Sequence, residues 1–83
     1  MTNVMPWWKE TDNYGCMVLA RKGTVNLVKY DNGFYAVERR TKACAYTMKN
    51  SWNKQEMIDY FNKEIKNVRR SKYDINLEVY ARV

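Results

Sequence analysis

Polar and apolar positions along the chain fall into short alternating runs, then one helical stripe, then a last alternating run. Cys16-Met-Val-Leu-Ala-Arg21 reads as a first strand, Thr24-Val-Asn-Leu-Val-Lys-Tyr30 as its return, and Phe34-Tyr-Ala-Val-Glu-Arg-Arg40 as a third. Lys22-Gly23 fits a two-residue turn between the first two. Asp31-Asn32-Gly33 is the strongest local signal, because Asn-Gly accepts the positive φ that type I′ hairpin turns require. A two-residue Asn32-Gly33 loop sets Tyr30 opposite Tyr35 and Val28 opposite Val37. The Lys22-Gly23 turn likewise sets Met17 opposite Val28. One face then carries Met17, Leu19, Val28, Tyr30, Tyr35 and Val37 and makes the better core, while Val18, Val25, Leu27 and Phe34 face the other way. A three-residue loop with a bulge at Gly33 also fits these residues and shifts the register. Ala43-Cys-Ala-Tyr-Thr-Met48 is a candidate fourth strand.

The helix is the best-defined element. Asn53 is placed to cap it, with Glu56 three residues on as in a capping box, and Trp52 and Met57 as a hydrophobic staple. Met57, Ile58, Phe61, Ile65 and Val68 fall within about 100° on a wheel of 3.6 residues per turn. Tyr73 to Val83 then alternates cleanly, with Ile75, Leu77, Val79 and Ala81 pointing one way, the pattern of a half-buried strand. The predicted class is α+β. A single small domain holds an antiparallel-dominated sheet of four or five strands in the order βββ(β)αβ, with one amphipathic helix packed on it. Residues 1–14 read as an irregular aromatic arm and residues 15–83 as the domain.

Length and composition narrow this further. Eighty-three residues make one domain with a thin core. The 46% apolar and 29% charged residues are a globular mixture. No apolar run approaches the roughly 18 residues that span a bilayer. The first residues lack the basic and apolar regions of a signal peptide. The reading is therefore a cytoplasmic protein with no membrane partner. Cys16 and Cys44 are then reduced, small core hydrophobes.

The chain contains no His, so triad and zinc chemistry built on imidazole has no partner here, and two Cys fall short of a four-ligand zinc site. No glycine motif that cradles phosphates occurs. The carboxylates are scattered, mostly beside Lys or Arg. These observations point to a protein without catalytic residues, metal, cofactor or small-molecule substrate.

Charge supplies the positive signals. Lys and Arg number 15 against 9 Asp and Glu, a net charge of +6. Lys63, Lys66 and Arg70 recur at i, i+3 and i+7 opposite the apolar stripe, flanked by Arg69 and Lys72. This group suits phosphate contact, since Lys and Arg neutralise a nucleic-acid backbone without reading its sequence. Arg39 and Arg40 end the third strand and point to opposite faces. Trp7, Trp8 and Tyr14 are the aromatics least committed to the core by periodicity, and such residues dominate binding hot spots. They form the candidate protein-docking site, with Arg39 or Arg40 as a charged neighbour.

A short chain with no catalytic set, one mixed domain, and many aromatic and charged residues resembles the small inhibitors that phages and mobile elements encode, anti-CRISPR proteins among them. That resemblance is one of build, and it implies a non-catalytic module that docks on a host protein or protein–nucleic acid complex. The run of three strands followed by a helix opened by Trp52-Asn53-x-x-Glu56 resembles the arm-type DNA-binding domains of phage integrases. That second likeness implies DNA binding through the sheet, and the alternative function is accordingly direct binding of DNA or RNA through a basic sheet or helix surface.

Overall fold

Successive hairpins build one antiparallel sheet. The computed structural model describes residues 16–41 and 44–81. Strands β1 (Cys16–Lys22), β2 (Val25–Tyr30), β3 (Tyr35–Arg40) and β4 (Ala45–Ser51) lie side by side in sequence order. Helix α1 (Lys54–Glu64) crosses β2, β3 and β4 and ends in a 3-10 turn, Ile65–Asn67. A four-residue helix, α2 (Leu77–Tyr80), packs against β1. Over the described residues the architecture is a small α+β domain of four strands and one principal helix.

Both tight turns differ in detail from the sequence expectation. The first loop is Gly23-Thr24, with Lys22 opposite Val25 and only its glycine at positive φ (60°), the glycine-first preference of a type II′ turn. The second loop has three residues. Gly33 N–H donates to the Tyr30 carbonyl at 2.9 Å and Tyr30 N–H to the Phe34 carbonyl at 2.8 Å. Gly33 alone takes the left-handed conformation, φ 89°, and Asn32 instead accepts from Phe34 N–H through its side chain. This loop needs one residue at positive φ where type I′ needs two, so the glycine carries all the strain.

That one extra residue turns β2 over. Leu27 now faces Val37 and Val28 faces Ala36, because a register slip of one residue exchanges the two faces of a strand. The core under α1 is Leu19, Ala20, Val25, Leu27 and Val37 with Met57, Phe61 and Ile65, joined by Leu77 and Ala81. Val25 and Leu27 replace the expected Val28 and Tyr30, and Met17 is exposed.

The helix starts as its sequence implies. Asn53 Oδ1 accepts from Glu56 N–H at 2.9 Å. The return arm of the capping box goes elsewhere, since the Glu56 carboxylate accepts from the Ser51 hydroxyl. Trp52 makes no staple with Met57. It is 65% exposed and lies edge-on to Phe34, whereas Met57 is fully buried.

The closing strand does not form. Among the described residues of this segment Ile75 alone pairs with the sheet, exchanging two hydrogen bonds of 3.1 Å with Arg21. Asn76 then turns left-handed (φ 54°) and its side chain donates to the Leu19 carbonyl at 2.8 Å. Leu19 is the extra residue of a bulge between Val18 and Ala20, so its carbonyl is free to accept. Asn tolerates this backbone better than most residues, and one helical turn follows. Leu77 and Ala81 are four apart, a spacing that suits a helical turn as well as a strand, and both are buried. Val79, on the same face only if the segment is a strand, is 65% exposed.

Candidate functional site

The basic segment sits where α1 runs out over the β1–β2 turn. Lys63 lies in the last turn of α1, and Lys66 lies in the 3-10 turn. Val68 then goes extended (φ −94°, ψ 132°) and takes the chain off the helix. Arg69, Arg70 and Lys72 follow in the connecting loop. The expected i, i+3, i+7 helical face therefore keeps only Lys63 and Lys66, and Arg70 reaches the surface from the loop.

Three contacts hold this loop. A Cβ at Gly23 would lie 2.6 Å from Val68 Cγ1, so glycine is what lets the segment approach the turn so closely. Gly23 N–H donates to Asp74 Oδ1 at 2.8 Å, and the same carboxylate accepts from the Ser71 N–H and hydroxyl. The Lys22 ammonium donates to the Ile65 carbonyl at 3.4 Å, placing a cation at the end of the helix, where the dipole favours it. The loop is thus fixed by one acidic side chain and one glycine. The five cations of the basic segment stay on the outside: Lys63, Lys66, Arg69, Arg70 and Lys72 are all exposed. Among the described residues none of the five is in an ion pair, while Lys72 lies over the Tyr73 ring. Glu64 is the one acid between 63 and 72, so those ten residues carry a net +4. Arg70 also borders a cleft shared with Asp74 and Glu78, which places opposite charge on its inner side.

Arg39 and Arg40 part company as their alternation implies. Arg39, half-buried, donates to the Thr24 hydroxyl at 3.0 Å. Arg40 is no surface neighbour for a docking partner. It is 6% exposed and forms a two-pronged pair with Glu38 Oε1, at 2.9 Å from Nε and 2.6 Å from Nη2. The Tyr30 hydroxyl donates to the other Glu38 oxygen. Burial, and then this bond to a carboxylate, push the Tyr30 phenol well above its ordinary pKa. Farther along the same face, Arg21 Nε donates to Asn26 Oδ1, with both residues fully buried. This polar seam lies on the sheet face away from α1, and composition alone does not reveal it. The available signal is Glu38 and Arg40 two residues apart on one strand, which places opposite charges side by side on one face.

Cys16 is half-buried near the Arg40 guanidinium, and Cys44 is exposed beside the Thr41 hydroxyl, so Cys44 is no core residue. Cys16 and Cys44 are not joined in a disulfide. Among the described residues no cluster of three Cys, Asp or Glu is placed to hold a metal ion, and no helix is long and apolar enough to cross a membrane. Trp7, Trp8 and Tyr14 lie outside the described residues. Compared with protein-family models, characterised proteins and solved structures, the chain matches none.

Proposed function

We propose that the chain is a non-catalytic binding module whose basic segment, residues 63–72, contacts the phosphate backbone of a nucleic acid. One observation carries the reading: five exposed cations in ten residues, outside any ion pair among the described residues, running from the end of α1 into a loop anchored by Asp74 and Gly23. A basic loop held in place engages phosphates with less ordering cost than a free tail. Such a module also suits a small phage or mobile-element inhibitor acting on a protein–nucleic acid complex.

The test is the salt dependence of binding to duplex and single-stranded oligonucleotides. Lys63→Glu with Arg70→Glu lowers affinity and reduces the slope of log K against log salt by about two. Lys29→Glu, exposed at the end of β2, leaves the slope nearly unchanged. A double variant that melts like the parent and binds with the parental slope overturns the reading. The aromatic arm with Trp7, Trp8 and Tyr14 then becomes the first place to look for a protein partner.

A further inference from the structure

We propose that β4 is a dimerisation edge, on which a second copy of this chain adds its own β4 antiparallel to make an eight-stranded sheet. The inference stands whether or not the basic segment binds phosphate.

β4 is seven residues long and holds no buried residue. Five of its side chains are exposed, and only Met48 and Ser51 are half-buried. Tyr46 is 52% exposed toward the α1 side, and Thr47 and Asn50 are exposed on the other. Among the described residues no backbone group of β4 bonds to anything beyond β3. The opposite edge of the sheet differs, because Ile75 pairs with β1 and α2 packs there. An exposed strand with unpaired N–H and C=O groups is a template for another strand, and proteins usually guard it with charge or proline. Here the guards are one bulge, at Met48, and a single charge. Residues 45–53 carry one charge, Lys49, and Glu56 neutralises it at 3.3 Å.

This local neutrality selects the occupant. Two chains of +6 repel each other over most of their surfaces. At β4 that repulsion is weakest, since the net +4 of residues 63–72 lies by the β1–β2 turn at the far edge of the sheet. A charged foreign strand would find no free charge on β4 to read. A strand paired antiparallel with itself presents the same residues from both sides, the isologous arrangement of a two-fold dimer. The bulge at Met48, between the Val37–Lys49 and Glu38–Thr47 pairs, divides the strand into two straight stretches over which the copies pair. The two-fold axis then runs through the sheet, both α1 helices lie on one face, and the two basic segments stand free at the outer ends.

Sedimentation equilibrium over a dilution series tests this on the full chain. The parent gives twice the 10.0 kDa of one chain. Thr47→Lys with Asn50→Lys puts like charges from both copies across the axis, so that variant gives half the parental mass with an unchanged melting temperature. Amide exchange over residues 45–51 slows with concentration in the parent, a readout that needs no variant. A parent that stays at one chain's mass throughout, a folded double variant that remains a dimer, or exchange at β4 independent of concentration each overturns the proposal.

Discussion

β1 and β4 are both seven-residue edge strands of one sheet, and they end in opposite environments. The last four residues of β1 are buried, including Arg21 and Lys22, whereas β4 has no buried residue. Strand propensity does not account for this. β4 has Tyr and Thr, which suit strands, and β1 has Arg and Lys. The difference lies in what returns to each edge. After α1 the chain crosses to the β1–β2 turn, lays Ile75 along β1 and seats Leu77 and Ala81 in the core. Among the described residues no backbone pairs with the outer edge of β4, although α1 packs across its face. Charge divides the two edges as well. The edge that the chain closes for itself carries the basic loop, and the edge left open is locally neutral.

The largest effect should come from the core cluster, which takes in Leu19 and Ala20 of β1 and has Met48 of β4 packed against it. Phe61 is fully buried on the α1 face that covers the sheet. Phe61→Ala should cost roughly 3–5 kcal/mol, a large share of the stability of a domain this size. A denaturant midpoint close to the parent's would refute the packing described above.

The two glycine turns sharpen the contrast between a closed end and an open one. Gly23 and Gly33 both have positive φ, but a Cβ at Gly23 meets Val68 at 2.6 Å while one at Gly33 meets nothing within 4 Å. Gly33→Ala should therefore cost about 1 kcal/mol, for the backbone alone. Gly23→Ala should cost about 3 kcal/mol, since overlap adds to backbone strain. It should also speed amide exchange over residues 68–74, the loop that presents the cations. Equal costs at the two positions would mean that the loop is not pinned by this contact.

The smallest effect belongs to the open edge. Glu56 is exposed, and the Ser51 hydroxyl, then Lys49, hold its carboxyl below its ordinary pKa. A carboxylate whose pKa is depressed by folding stabilises the fold above its unfolded pKa and loses that contribution as pH falls through the folded value. Glu56→Gln should thus flatten slightly the decline of the denaturant midpoint between neutral pH and about pH 3. An unaltered decline would assign the Ser51–Glu56–Lys49 contacts no role in anchoring β4 to α1.

Much of the fold was legible in the chain. Three hairpin strands, the Asn53 cap and the Met57–Phe61–Ile65 stripe follow from local turn chemistry and periodicity, and all three appear. The face that β2 presents was not, because it depends on whether the loop holds two residues or three, and Asn32-Gly33 accepts both. The candidate site was legible by halves. The exposure of Lys63 and Lys66 follows from the apolar stripe opposite them. The burial of Arg40 needed Glu38 and Tyr30 brought together across the sheet.

By itself the sequence determined the first three strands and the principal helix, that the domain is small and of mixed α+β type, and that positive charge gathers at and after the helix's end. Those properties depend on near neighbours: alternation, a capping side chain, a glycine at a turn. Only the tertiary structure decided that Tyr73 to Ala81 yields one bridge and a helical turn. A spacing of four fits strand and helix alike, and the choice fell to the bulged Leu19 carbonyl, which takes the Asn76 side chain. It decided too which edge closes and which stays open, because that depends on where a segment some fifty residues away in the chain comes to rest.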